Sequence, residues 1–228
     1  MKLLFVVAQI LLFGLIMDQS YAENMISTET IPGQAPSTEQ GVIFSDLNLE
    51  EAIRTAIDKP IGVIYISDLD ELDGLDANKR GIKNIAGLEY CINLTYLDLS
   101  YNQITDVSPL SGLANLTDLY LNGNQIIDIS PLSGLTNLET LILHSNQITN
   151  VSLSGLTKLK KINLNSNHIS DVSPLSGLTS LKELYLSYNH IPDVSSLSGL
   201  TNLTDLDLDS NQITDVSPLS GLANLTDL

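Results

Sequence analysis

From Leu94 to the end of the chain, apolar and polar positions recur with a period of 22 residues, shortened once to 21. Asn102, Asn124, Asn146, Asn167, Asn189 and Asn211 mark the period. Each sits in the same setting, which in one copy reads Leu116, Leu119, Leu121, Asn124, Ile126, Asp128, Ile129, Ser130, Pro131, Leu132, Gly134 and Leu135. Within a copy, pairs such as Leu119 and Leu121 alternate with polar residues, which predicts a short strand with every second side chain facing inward. Identical strands one period apart predict a solenoid with a parallel sheet along its concave side. The fold class is therefore an α/β repeat.

The pattern changes toward the N-terminus. Leu72, Leu75, Ala77, Ile82, Ile85, Leu88 and Cys91 keep the spacing, but Arg80 stands in the asparagine position, so this copy is degenerate. Before it, Leu49, Ala52, Ile53, Ala56 and Ile57 form one helical stripe, with Asp46 or Asn48 placed to cap it and Pro60 and Gly62 to end it. A second helical turn is expected over Ser67–Leu72. A helix here has a physical role, because it covers the first repeat, whose leucines would otherwise meet water. Segment 42–93 is thus an α-helical N-terminal cap with a degenerate first repeat. Residues 94–228 hold six repeats, starting at Leu94, Leu116, Leu138, Leu159, Leu181 and Leu203, and the opening of a seventh that is cut short. The third repeat lacks the proline found at Pro109, a deletion expected to alter a turn and spare the strand register.

Residues 23–41 carry Ser, Thr, Pro, Gly and Gln and read as a flexible linker. Residues 1–22 read as a secretory signal peptide: Lys2, an apolar run from Leu3 to Met17, and small residues at Ser20 and Ala22 before the cleavage point. That run is short of the roughly 20 residues a membrane span needs. The expected location is therefore secreted or at the cell surface, with membrane contact only through an anchor outside this chain. With Cys91 as the one cysteine, no internal disulfide forms, and its place in a leucine column makes it a buried hydrophobe.

Side-chain chemistry separates structural columns from candidate binding columns. A buried amide offers two donors and an acceptor, so the asparagine ladder is read as structural, satisfying backbone groups of its own turn and of the adjacent repeat. Asp106, Asp128, Asn150, Asp171, Asp193 and Asp215 stand before the Ser-Pro turns, where they can cap them. Asn-x-Ser/Thr triplets at Asn93, Asn115, Asn150, Asn202 and Asn224 follow from the repeat wording. His168 and His190 share a column in adjacent repeats but lack a third ligand, so no metal and no cofactor is expected. There is no Gly-x-Ser-x-Gly, no His-Glu-x-x-His and no phosphate-binding glycine loop, and the chain is not read as an enzyme. A net charge of −17 argues against a nucleic-acid partner.

The phrase Asn-Gln-Ile-Thr-Asp-Val-Ser-Pro-Leu-Ser-Gly-Leu, with the cap wording from Gly81 to Tyr90 and Asn93-Leu94-Thr95, resembles the internalin-like leucine-rich-repeat proteins of bacterial surfaces. The resemblance covers Val42 to Leu228. It implies a curved solenoid with a helical cap, short 3₁₀ turns on the convex side, and protein ligands held on the concave face. Internalins proper carry an immunoglobulin-like domain after the repeats, and often a wall-anchoring signal; neither is visible in this sequence.

Outward strand positions differ from repeat to repeat on a constant scaffold, and variation of that kind marks recognition. The candidate ligand-binding residues are Tyr96, Asp98, Tyr101, Asp118, Tyr120, Ile142, His144, Lys161, Asn163, Glu183, Tyr185, Tyr188, Asp205, Asp207 and Asp209, with Ser100, Asn122, Asn165 and Ser187 on the same positions. Five of the eight tyrosines fall there, and tyrosine is a common hot-spot residue. Lys158, Lys160, Lys161 and Lys182 make the one basic cluster of the repeats, set in an otherwise acidic surface. The expected function is a monomeric binding or adhesion module that recognises a protein, with a glycan as the second ligand class. The alternative is the targeting arm of a larger cell-envelope enzyme whose catalytic domain lies beyond residue 228.

Overall fold

Seven strands of three residues each, one per repeat, stack in chain order into a parallel sheet. They are β3 (Gly74–Asp76), β4 (Tyr96–Asp98), β5 (Asp118–Tyr120), β6 (Thr140–Ile142), β7 (Lys161–Asn163), β8 (Glu183–Tyr185) and β9 (Asp205–Asp207), each paired with the next in unbroken register. The computed structural model describes residues 40–226. The leader read over residues 1–22 lies outside the described residues, as do nearly all of the linker and the last two residues. A small antiparallel pair, β1 (Gly41–Val42) with β2 (Ile64–Tyr65), closes the cap around helix α1 (Leu47–Ala56). Gly41, assigned to the linker from sequence, is the first residue of β1.

One aspartate fixes the cap helix and ties it to the repeats. The Asp46 carboxylate accepts hydrogen bonds from the first-turn N–H groups of Asn48 and Leu49 through one oxygen, and from Lys83 and Asn84 through the other. Burial pushes its pKa up, but these four donors outweigh it and hold the group below the usual carboxylate value. Of the expected apolar stripe, Leu49, Ala52 and Ile53 are buried and Ile57 packs partly against the core, while Ala56 faces water. In place of a helical turn over Ser67–Leu72 stands a shorter 3₁₀ turn over Ile66–Leu69. Its first turn is held by the Asp68 carboxylate, which accepts from Tyr65 N–H and pairs with Lys59 at 2.5 Å.

The core is one continuous column of leucine, isoleucine and valine. Each repeat adds a ring such as Leu116, Leu119, Leu121, Ile126, Ile129, Leu132 and Leu135, every one of them fully buried. On the side away from the sheet, 3₁₀ turns such as Ser108–Leu110, Ser130–Gly134 and Ser173–Leu175 carry proline in their first turn. The aspartate two residues before each accepts from the first N–H of the turn, as Asp128 does from Ser130 at 2.8 Å. The 21-residue repeat has no 3₁₀ turn at Val151–Leu153, yet Thr140 still pairs with Lys161 across it.

Asparagine amides join the repeats. Asn146 Oδ1 accepts from Ile126 N–H of the preceding repeat at 3.0 Å, while its Nδ2 donates to Leu121 O of that repeat and to Leu143 O of its own, also at 3.0 Å. The same three bonds recur at Asn124, Asn167, Asn189 and Asn211. A second, exposed column repeats the device more weakly: Asn93, Asn115, Asn137, Asn202 and Asn224 each donate to a carbonyl of the previous repeat. The Asn-Leu-Thr triplets thus have a structural use, because Thr95, Thr117, Thr204 and Thr226 also donate their hydroxyls backwards across the same step.

Two outcomes follow. Asn146→Ala strands three buried backbone groups at about 1–3 kcal/mol each, so urea unfolding should show a much larger loss than for Asn211→Ala, whose partners are partly open to water. Equal losses would contradict the ladder's role. Burial first, and the Glu89 charge second, push the Cys91 thiol up to about 12. A thiol reagent at pH 8 should therefore leave the folded chain unmodified and react fully once urea is added; rapid reaction of folded protein would count against a sealed cap.

Candidate functional site

The face of the sheet opposite the core is built from four aligned columns. The two outward strand positions carry Tyr96, Asp118, Thr140, Lys161, Glu183 and Asp205, and then Asp98, Tyr120, Ile142, Asn163, Tyr185 and Asp207. A third column follows two residues on, with Ser100, Asn122, His144, Asn165, Ser187 and Asp209. The fourth precedes the ladder asparagine and holds Lys79, Tyr101, Gly123, Ser145, Ser166, Tyr188 and Ser210, all in the left-handed region at φ between 53° and 67°. This fourth column has no sequence signature beyond its spacing, since only one of its seven residues is glycine. Left-handed backbone costs about 1–2 kcal/mol for a side-chain-bearing residue. Here the stack offsets it from Lys79 to Tyr188, because each of these N–H groups bonds to a carbonyl of the next repeat, as Tyr101 does to Asn122 at 2.7 Å and Tyr188 to Asp209 at 2.9 Å.

The predicted contact residues divide by exposure. Tyr96, Tyr101, Tyr188 and Asp209 are exposed, and Asp98, Asp118, Tyr120, His144, Lys161, Asn163, Glu183, Tyr185, Asp205 and Asp207 are half-buried. Ile142 retains only 8% of its surface, flanked in register by Tyr120 and Asn163. It is a floor residue. Ser100, Asn122 and Ser187 are buried as well. They sit where the chain turns inward, and strands one repeat apart stack too closely, at about 4.8 Å, to leave small side chains open.

Local pairs set the chemistry of the face. Tyr96 and Tyr120 lie with ring centroids 5.5 Å apart and planes at 47°. Both phenol pKa values are raised: burial is the first cause at each, then Asp98 at Tyr96 and Asp118 at Tyr120. Tyr101 lies over Gly123, with the Lys79 ammonium 5.2 Å from its ring centre. Lys161 pairs with Glu183 at 2.5 Å and lies 5.5 Å from the centre of the Tyr185 ring, whose hydroxyl also donates to Glu183 at 3.0 Å. The hydrogen bond from Lys161, then that from Tyr185, hold the Glu183 carboxyl below its usual value. Lys160 is paired with Glu139 at 2.6 Å and Lys158 donates to Asn137. Three of the four lysines of the basic cluster are therefore engaged within the chain, and the face offers acid far more than base.

The C-terminal acids differ in their surroundings. Asn165 donates to Asp207, and Thr204 donates to Asp205, while Asp209 N–H turns back on Asp207. Burial lowers the His144 pKa. His168 and His190 stack face to face at 5.9 Å with planes 7° apart. Imidazole lone pairs lie in the ring plane, so stacked rings do not converge on one ion. Among the described residues, no group of three or more His, Cys, Asp or Glu is placed to hold a metal.

Gly123 has one close neighbour that explains it. A Cβ there would stand 2.6 Å from Tyr101 Cδ1, so the ring rests on the bare backbone. Gly123→Ala should cost about 1–2 kcal/mol from φ alone and further displace Tyr101. In a double-mutant cycle with Tyr101→Ala, followed by urea unfolding, the two losses should not add; additivity within about 0.3 kcal/mol would show that the ring does not depend on the glycine.

Comparison with known proteins agrees with this architecture. The family described as Leucine Rich repeats (2 copies) matches residues 70–112, 92–134, 136–177 and 179–221. The solved structure of internalin C2 from Listeria monocytogenes is 38% identical, covering 85% of this chain and 100% of its own, with a TM-score of 0.67. A leucine-rich-repeat protein of Leptospira interrogans is 29% identical over 62% of this chain and 38% of its own, with a TM-score of 0.60. The functional domain of InlJ from Listeria monocytogenes, which includes a cysteine ladder, shares the fold at 22% identity and a TM-score of 0.51, covering 84% of this chain and 52% of its own. A period fixed by asparagine, a seven-stranded parallel sheet and these likenesses lead to one conclusion: the chain belongs to the leucine-rich-repeat family, as an internalin-like member.

Proposed function

We propose that this protein is a binding module, secreted or held at the cell surface, which recognises a protein partner on the concave face of its sheet. One observation carries the reading. Tyr96, Tyr101, Tyr120, Tyr185 and Tyr188 all project from one face of a sheet whose other face is a sealed leucine core. Aromatic side chains that combine an apolar body with a polar tip are the usual anchors of protein interfaces. Nothing in the core needs them there, since Leu97, Leu119 and Leu184 fill it from the opposite side.

The rest of the surface agrees with this assignment. The convex turns repeat Asp-Val/Ile-Ser-Pro almost unchanged and use their polar atoms on one another, as Asp106 with Ser108. A constant surface whose polar groups are committed internally has little to distinguish one ligand from another. The two outward strand columns change residue at every step from β4 to β9. No helix among the described residues is long and apolar enough to cross a membrane.

The test is a photo-crosslinking residue at Asn163 on the concave face or at Ser133 on a convex turn, exposed to solubilised surface proteins. Concave adducts are expected and convex adducts are not. Replacing Tyr120 and Tyr185 together with Ala should remove the adducts while leaving far-ultraviolet circular dichroism unchanged. Undiminished capture by that variant would move the binding surface off the concave face.

A further inference from the structure

Three tyrosines of this chain already hold an ammonium group. Lys59 Nζ lies 5.2 Å from the Tyr65 ring centre and 2.5 Å from Asp68. On the concave face, Lys161 Nζ lies 5.5 Å from the Tyr185 ring centre and 2.5 Å from Glu183. Lys79 stands 5.2 Å from the Tyr101 ring centre. Two of the three sets pair the ring with a carboxylate, so the cation is held by a π face and a charge together.

A fourth set has the same parts in greater number. Tyr96 and Tyr120 lie 5.5 Å apart, and strand register places Asp118 beside Tyr96, Asp98 beside Tyr120, and Asp76 beside Asp98. The raised phenol pKa values reflect burial first and then these same carboxylates, so the charges are close enough to be felt at both rings. Among the described residues, no Lys or Arg is ion-paired with Asp76, Asp98 or Asp118, and none stands over Tyr96 or Tyr120. Lys161 is felt at Tyr120, but its ammonium is committed to Glu183.

We propose that the Tyr96–Tyr120 pair, with Asp98 and Asp118, is the seat for an arginine or lysine side chain projecting from a basic loop of the protein partner. This rests on the reading of the concave face as a protein-binding surface and names the chemistry that surface selects. The charge of the face favours a cation, and the two rings favour an organic one. A calcium ion needs six to eight oxygen ligands. Asp98 and Asp118 carry four carboxylate oxygens between them, and one on each already accepts a hydrogen bond, Asp98 from the Ser100 N–H and hydroxyl and Asp118 from the Thr117 hydroxyl, so the pair falls short of that number. The planar guanidinium can lie on a ring while bonding a carboxylate at its edge.

The probe is Nα-acetyl-arginine amide, titrated into the full chain carrying ¹³C-labelled tyrosine rings. Nα-acetyl-glutamine amide and calcium chloride serve as separate comparisons. The arginine probe should shift the Tyr96 and Tyr120 resonances saturably, and the glutamine probe should not. Asp98→Asn with Asp118→Asn should weaken that binding by about tenfold or more; Glu51→Gln with Glu71→Gln, two exposed acids of the cap away from the concave face, should leave it unchanged. Unsaturable shifts at all tyrosines, equal binding by the Asp98→Asn/Asp118→Asn variant, or saturation by calcium alone would each overturn the proposal. Partner adducts at Asn163 that persist at full strength in that same variant would overturn it while sparing the concave-face reading. That reading falls separately, if Tyr120→Ala with Tyr185→Ala leaves capture intact.

Discussion

Closing each turn of the solenoid buries backbone N–H and C=O groups that neither the three-residue strands nor the 3₁₀ turns can reach. Everything else depends on how those groups are satisfied. A side-chain amide suits the task, because it presents an acceptor and two donors from one position. Asn124 spends them on Ile104 N–H and on the Leu99 and Leu121 carbonyls, so one residue bonds its own turn and the turn before. Leucine packing supplies the bulk of the driving force, yet packing alone would allow the repeats to slide. The amides set the step between repeats, and with it the alignment of every outward column.

Most of this was legible in the sequence, because period and residue type are local signals. The 22-residue spacing of Leu119, Leu121 and Asn124 gave strand, core and register together, and Arg80 in the asparagine position marked the degenerate copy. The cap was less legible. Gly41–Val42 pairs with Ile64–Tyr65 through backbone bonds alone, and a two-residue strand leaves no alternation to read. The exposed Asn93 column looked like repetition without purpose, since its partners are carbonyls, which every residue carries.

The candidate binding columns were legible as positions and less so as environments. Alternation predicts which way Ile142 points but not that Tyr120 and Asn163 cover it from either side. It predicts a basic patch at Lys160 and Lys161 but not that Glu139 and Glu183 occupy both ammonium groups. Those facts live between repeats, in the pairing of side chains 21 or 22 residues apart. The left-handed column is similar. Tyr101 and Tyr188 look like ordinary residues next to an asparagine, and only the stacked N–H bonds explain why a tyrosine tolerates that backbone.

The short turn at Val151–Leu153 shows how the back of the stack can change in length without disturbing the face opposite. One residue is missing there, along with a 3₁₀ turn, and the strands on either side still pair residue for residue. A change of length of this kind is thus absorbed at the back of the stack. The two faces therefore carry separate tolerances: the rear can lose a residue and leave the sheet in register, and the front keeps its length while its residues differ from one repeat to the next.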